Sequence, residues 1–264
     1  LIAHYHSEGK IRKDLSNFIK KASKSFHKII FISTKLNKIE KKKIDKYALI
    51  ISRPNYGYDF YSYKVGLAKL LEENKKKNEI IFFIGSNLIF LNSSKLLNQI
   101  DKNLNTKKKI HGLSKSWEIE EHLQTDMFSI PRKYFYNKNF YNWWKKIGKF
   151  KKRSTIIGKY ELGFSQFLYK NNIEYDCFFK DNINDYPNNI LKLFKKKVEN
   201  IFFKNVKIYK KNPTHFYWKR ILNKFGIIKI DLIKTNSNNV DIGDLKKILG
   251  NKKYLDIKME ADNN

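Results

Sequence analysis

Residues 47–67 read YALIISRPNYGYDFYSYKVGL. The apolar run from Tyr47 to Ser52 has the length and branched-residue content of a buried strand. Pro54 breaks the run and Gly57 permits a tight turn. From about Phe60 the pattern YSYKVGLAKLL becomes helical. Strand, short polar loop and helix form the repeating unit of a parallel sheet, which gathers ligands at the carboxyl ends of its strands. The loop carries Asn55, Gly57 and Asp59. Asp59 alone would be read as a helix cap. Capping does not account for Asn55 and Gly57 beside it, so the three together point to a bound ligand.

The same alternation extends outward in both directions. LIAHYH (1–6), HKIIFIST (27–34) and EIIFFIG (79–85) read as further strands. Helices are expected at 13–25, in the polar LNKIEKKKIDKY (36–47), from Phe60 to Leu71, and in SSKLLNQIDKNL (93–104). Apolar runs of strand length separated by helical patterns predict an α/β fold with one Rossmann-type, mostly parallel sheet flanked by helices. Further on, KIHGLS (109–114), HLQTDMFSI (122–130) and IEYDCFF (173–179) read as strands. NKNFYNWWKKI (137–147) reads as an amphipathic helix capped by Asn137. STIIGKYELGFSQFLYKNN (154–172) reads as a loop followed by a helix. From Pro187 the pattern is mainly helical, through NNILKLFKKKVENIF, NPTHFYWKRILNKFG and DIGDLKKILG, with a strand-like IIKIDLI between the last two. The expected organisation is a nucleotide-sugar-binding half over 1–108, an acceptor and catalytic half over 109–186 continuous with the same sheet, and a helical extension over 187–264.

The net charge of +30 invites a nucleic-acid reading, but arginine occurs only at Arg12, Arg53, Arg132, Arg153 and Arg220. A surface evolved to read phosphates and bases uses the arginine fork more heavily. Lysine is instead spread along the whole chain among Asn, Ile, Tyr and Phe, as an AT-rich coding sequence would give, so nucleic acid is not expected as a partner. A basic surface suits anionic ligands or an anionic membrane. Cys177 is the only cysteine, which excludes a disulfide framework and fits a reducing compartment. No apolar stretch reaches the ~20 residues that span a bilayer. LIAHYH reads as a strand and not as a signal peptide, and a chain opening on Leu1 leaves room for a segment ahead of it.

Polar residues gather at several strand ends. His4 and His6 would share one face of the first strand, with backbone hydrogen bonding as the ordinary alternative. Ser86 and Asn87 follow the EIIFFIG strand, where Gly85-Ser86-Asn87 offers no carboxylate for a metal. Gln124 and Asp126 alternate on HLQTDMFSI and would meet a sugar together, or else make cross-strand hydrogen bonds. Glu161 is read at a helix start, where the dipole favours its charged form. His215 and Trp218, three apart, would share a helical face, and a tryptophan at that spacing is more often core. Asn212 reads as a helix cap with Pro213 at the first position. Trp143 and Trp144 cannot share a face, so one is expected in the core and the other part-exposed. Phosphate loops of standard spacing, a nucleophile elbow and a His-Glu-x-x-His helix are absent; His111 and His122 lack the spacing of a metal helix.

In order along the chain, HYHSEGKI, NYGYDFYSYKVGL, SWEIEEHLQTDMFSIPRKYF, YELGFSQFL and NPTHFYWKRIL resemble blocks of the rhamnan synthesis protein F family of bacterial polysaccharide glycosyltransferases, over roughly His4 to Asp256. The resemblance implies a GT-A-like enzyme at the cytoplasmic face of the membrane, soluble or peripheral. Its expected partners are a nucleotide sugar, dTDP-L-rhamnose, and a lipid-linked or polysaccharide acceptor. By that analogy Asn55, Gly57 and Asp59 flank the donor and Glu161 is the base. From their positions alone, Asp126 is expected to share in catalysis, His4, His6, Ser86 and Asn87 to hold the donor, and Gln124, His215 and Trp218 to meet the acceptor or sugar. The family's Asn-Asp-Ser is replaced by Gly85-Ser86-Asn87. That substitution leaves a divalent cation, Mg or Mn, without its carboxylate pair, and suggests Lys10, Arg12 or Arg53 as the charge that neutralises the diphosphate. The alternatives are a non-catalytic basic binding module and a family member that has lost turnover.

Overall fold

The computed structural model describes residues 1–73, 79–104, 109–180 and 212–262. Its strands are β1 (Ile2–His4), β2 (Ile30–Ser33), β3 (Leu49–Ser52), β4 (Ile80–Gly85), β5 (Leu88–Phe90), β6 (Ile110–Gly112), β7 (Lys115–Ser116), β8 (His122–Leu123), β9 (Met127–Pro131), β10 (Tyr175–Cys177) and β11 (Ile227–Lys229). The first helices, α1 (Lys13–Ala22), α2 (Lys38–Lys42), α3 (Tyr58–Leu71) and α4 (Ser93–Leu104), alternate with the strands as the periodicity predicts.

Seven strands form one sheet in the order β10-β6-β9-β4-β1-β2-β3. Neighbours run parallel except where β9 lies antiparallel to both β4 and β6. This is the α/β, mostly parallel sheet flanked by helices that the sequence predicts. Because β9 is reversed, its first residue lies at the rim where the parallel strands end, and the Gly85 amide donates to the Asp126 carbonyl at 2.9 Å.

Successive β4 residues point to opposite faces. Phe82 and Ile84 join Leu15, Phe18 and Phe31 on one side. Ile81 and Phe83 join Tyr63, Phe128, Trp144 and Phe164 on the other. On that second face the rings are layered: Phe83 stacks on Phe128 at 4.4 Å between centroids and on Trp144 at 5.2 Å, and meets Tyr63 edge-on at 5.3 Å. The helix α5 (Lys138–Lys145) begins as expected, with the Asn137 side chain accepting from the amides of Asn139 and Phe140. Trp144 is buried and Trp143 half-buried against Phe164 and Phe167.

The structure corrects several local expectations. β3 is the edge strand, with Leu49 at 40% exposure, and not a buried one; an apolar run does not say how many neighbours a strand has. β1 stops at His4, so His6 lies in the following turn. HLQTDMFSI does not form one strand. β8 pairs with β7, β9 joins the main sheet, and Gln124–Asp126 turns between them. The expected loop before Glu161 is helical: α6 (Arg153–Ile156), a π-helical turn (Ile157–Leu162) and α7 (Gly163–Lys170) follow without a break. Glu161 therefore sits in a π turn and not at a helix start.

After residue 212 the chain forms helices at Pro213–Phe216, Trp218–Phe225, Asp231–Lys234, Gly243–Leu249 and Asn251–Asp262. They pack round a separate apolar cluster of Ile89, Trp218, Leu222, Ile228, Leu232, Leu245 and Tyr254. The expected helix over 188–202 lies outside the described residues. Tyr217 (φ −106°, ψ 25°) separates the first two helices, so His215 and Trp218 do not share a helical face. Asn212 precedes Pro213 as expected but does not cap with its side chain. Its Oδ1 accepts from Gln124 Nε2 (3.1 Å) and Thr214 Oγ1 (2.8 Å) instead. β11 pairs antiparallel with β5, setting Lys229 opposite Leu88.

Phe83 carries the ring stack on one face of the sheet. Phe83→Ala should cost about 3–5 kcal/mol in urea denaturation; a loss under about 1 kcal/mol would show that the stack is not structural.

Candidate active site

The loop after β3 is built around one arginine. Arg53 donates to the carbonyls of Pro54 (2.8 Å), Tyr56 (2.5 Å) and Tyr58 (2.6 Å), and to Ser62 Oγ (2.9 Å from Nε). Gly57 adopts φ +70°, and a Cβ there would lie 2.5 Å from Tyr61 Cβ, so only glycine fits. Its amide donates to the Phe150 carbonyl at 2.7 Å. The result is a rigid hook that delivers Asp59, in the first turn of α3, to the rim of the sheet.

A second arginine builds the turn after β4. Arg12, 4% exposed, donates to the carbonyls of Ser86 and Leu88, both at 2.6 Å, and is held by Asp14 at 3.0 Å. The two carbonyls flank Asn87. With the backbone clamped on both sides, the Asn87 side chain folds back over Gly85, where a Cβ would stand 2.5 Å from Asn87 Oδ1 and 3.0 Å from Asp59 Oδ2. Asn87 Nδ2 donates to Asp126 Oδ1. Asp126, in the turn just before β9, thus brings a carboxylate beside Gly85-Ser86-Asn87.

Asp126 Oδ2 meets Lys229 Nζ at 2.9 Å, with the two side chains 12% and 16% exposed. Glu161 joins them from the π turn, an element often found at functional sites. Burial, then the Asp126 charge, raises the Glu161 carboxyl to about 7, with Lys229 opposing. The same two causes raise Asp59 to about 6, with Arg53 and Arg153 opposing. Burial acts to lower the Lys229 ammonium, but Asp126, Glu161 and Asp231 outweigh it and leave it raised. The Tyr63 hydroxyl, buried and without a hydrogen-bond partner, is pushed well up by burial and then by Asp59, Asp126 and Glu161. Asp59, Asp126, Glu161, Lys229, Tyr63 and Asn87 therefore form one electrostatic unit, assembled from α3, the β4–β5 turn, the start of β9, the π turn and β11.

The other expected site residues fall elsewhere or have structural partners. Asn55 is exposed on the loop and does not enter the carboxylate group. His4 is buried, with Nδ1 at 2.9 Å from Ser33 Oγ and Nε2 at 3.1 Å from the Lys10 carbonyl; burial and then Arg12 lower it to about 3. His6 Nδ1 accepts from the Glu8 amide at 3.1 Å. Ser86 Oγ accepts from the Tyr5 amide at 3.3 Å. Gln124 does not share a strand face with Asp126. Its Oε1 accepts from Ser114 Oγ while its Nε2 reaches Asn212. Trp218 is 2% exposed and donates to the Asp241 carbonyl at 3.1 Å, the core reading. His215 is buried between Asn238 Nδ2 (2.7 Å) and Asp231 Oδ2 (3.5 Å). Burial, and next Lys229, lowers it to about 4.

Glu161 is not favoured in its charged form by a helix dipole; burial and like charge favour its neutral form. The cations expected to face a diphosphate do not do so. Arg12 and Arg53 organise backbone, and Lys10 pairs on the surface with Glu8 at 2.5 Å. Lys229 is the cation among the carboxylates, and sequence reading missed it because nothing local distinguishes it from the other lysines. Two cavities of about 550 and 600 Å³ open around Phe26–Ile29 at the opposite end of the sheet. None of the clustered carboxylates lines them.

A divalent ion fits this donor set poorly. Both Asp126 oxygens accept from N–H donors, one from Asn87 and one from the Lys229 ammonium, whose positive charge opposes a second cation there. Among the described residues no group of three His, Cys, Asp or Glu side chains is arranged to hold a metal.

The family model described as Rhamnan synthesis protein F matches residues 29–261. No curated protein matches the chain. The chain belongs to the rhamnan synthesis protein F family. Among the described residues, no helix is long and apolar enough to cross a membrane.

A carboxyl raised from 4.5 to about 7 binds its proton more tightly in the folded state. Its contribution to stability is therefore full below about pH 4.5 and lost as pH rises through 7. Glu161→Gln removes that titration. The variant should gain in melting temperature over the parent as pH rises from 5 to 8, by about 2–4 °C per kcal/mol relieved. A difference independent of pH would refute the raised value.

Proposed function

We propose that this chain is an inverting glycosyltransferase that moves L-rhamnose from dTDP-L-rhamnose to a growing, lipid-linked cell-surface polysaccharide at the inner face of the cytoplasmic membrane. Family membership supports the role in rhamnan synthesis. The single observation that carries the chemistry is the grouping of Asp59, Asp126 and Glu161 at the carboxyl rim of the sheet, with Glu161 raised to about 7. A base works best when its pKa lies near the working pH.

In the reaction, the Glu161 carboxylate takes the proton of an acceptor hydroxyl. The freed oxygen pair attacks the anomeric carbon from the face opposite the leaving group. The bond from that carbon to the phosphate oxygen breaks, and dTDP leaves with the electron pair. Glu161 then returns its proton to solvent. Asp59, hooked over Gly85 beside Asn87, and Asp126 orient the donor.

A basic module without catalysis would have no use for buried carboxylates that raise one another; its surface lysines would suffice. A member that has lost turnover would keep nucleotide binding without transfer.

Transfer from labelled dTDP-L-rhamnose to a lipid-linked acceptor measures the claim. Glu161→Gln should lower kcat about 10²–10⁴-fold while the donor KM changes little, and the parent rate should rise with pH through about 7. Unimpaired turnover in the variant would exclude Glu161 as the base. Nucleotide binding with no transfer by the parent protein would favour lost turnover.

A further inference from the structure

We propose that Lys229 is the resident cation of this site: its ammonium meets the donor's diphosphate directly, in place of a divalent metal ion. This rests on the transferase reading. It adds a residue that neither the family match nor the sequence motifs single out.

Charge accounting at the rim leads to Lys229. A departing nucleoside diphosphate needs positive charge. Among the arginines near the rim, Arg12 and Arg53 spend their N–H groups on loop carbonyls, on Asp14 and on Ser62. Lys229 instead pairs with Asp126 at 2.9 Å, and among the described residues no second hydrogen bond of its ammonium is seen, so N–H donors remain there for a ligand. It is held at the site from several directions. β11 is registered against β5, with Lys229 opposite Leu88, and the next residue's amide, that of Ile230, donates to the Asn87 carbonyl at 2.8 Å. The turn that Arg12 clamps thus also positions the strand that carries Lys229.

Two buried polar atoms indicate that the constellation is incomplete without a ligand. Among the described residues, Asn87 Oδ1 and the Tyr63 hydroxyl both lack hydrogen-bond partners. Leaving such groups unpaired is costly. Asn87 Oδ1 lies beside Asp59 Oδ2 over Gly85, where a sugar hydroxyl can donate to the pair. Arg153 adds a second cation. It is exposed at the start of α6, and its charge reaches both Asp59 and Glu161. The groups facing Lys229 are Asp126, Glu161 and Asp231, with His215 also within its field. A diphosphate would join a cation already surrounded by acids, and Arg153 at the mouth offsets part of that negative charge.

The test is calorimetric binding of dTDP and of dTMP to the whole chain, with EDTA and with added MnCl2. The parent should bind dTDP equally in both conditions. Lys229→Met should weaken dTDP about tenfold to hundredfold and dTMP much less, and Lys229→Arg should recover most of the loss. Because Lys229→Met leaves Asp126 unpaired, the double variant Asp126→Asn/Lys229→Met is measured beside it; it should fold and still bind dTDP weakly. Loss of parent dTDP binding in EDTA, restored by Mn, would overturn the proposal while leaving the transferase reading intact. So would unchanged dTDP affinity in both Lys229 variants. A parent that binds no nucleoside diphosphate in either condition would overturn the proposal and the transferase reading together.

Discussion

Carboxylates held close together cannot all be charged without a cation between them, and the rest of this structure depends on how that conflict is met. Asp126 is bonded to both Lys229 and Asn87. Asp59 and Glu161 do not have that support and are pushed toward the neutral form, to about 6 and about 7. Like charge and burial act in the same direction on both. The outcome is an uneven set: one carboxylate paired with a cation, and two poised to change protonation near neutral pH. A fold that needed only stability would place apolar side chains here, because a buried ion pair rarely stabilises more than they do.

The surroundings of the cluster serve to hold it rigid. Each of two buried arginines gathers several backbone carbonyls, one in the loop before Asp59 and one in the turn that bears Asn87. Guanidinium suits this work because its planar fork presents several donors in fixed directions. On the same face of the sheet, Phe83, Phe128, Trp144 and Tyr63 form a buried ring-stacked layer. Tyr63 links that layer to the acids, since Asp59, Asp126 and Glu161 all act on its hydroxyl. The C-terminal residues belong to the cluster as well, since β11 carries Lys229 to Asp126 across the chain.

The sheet was legible in the sequence because strand-length apolar runs alternate with helical patterns, and the packing follows that alternation. Its edge was not legible: YALIIS looks the same with one neighbour or two. The break between β8 and β9 was missed because HLQTDMFSI keeps an alternating pattern through a turn set by contacts elsewhere. The Leu123 amide goes to Ser165 and that of Gln124 to Ser114. The π turn was read as a loop because Gly158 and the β-branched residues before it have low helix propensity, which the packing of Tyr160 and Phe164 overrides. Asp59, Asp126 and Glu161 could each be singled out by local context. Lys229 could not, since its significance comes from Asp126, far away in the sequence. Arg12 and Arg53 were misjudged for the related reason that a sequence does not say whether a guanidinium faces ligand or backbone.

Carbon-13 NMR titration of the Glu161 side-chain carboxyl in the ligand-free protein measures the central claim directly. Convergence of the three acids requires a midpoint near 7. A midpoint near 4.5, the ordinary value of a glutamate, would mean that Glu161 does not share a buried site with Asp126 and Asp59.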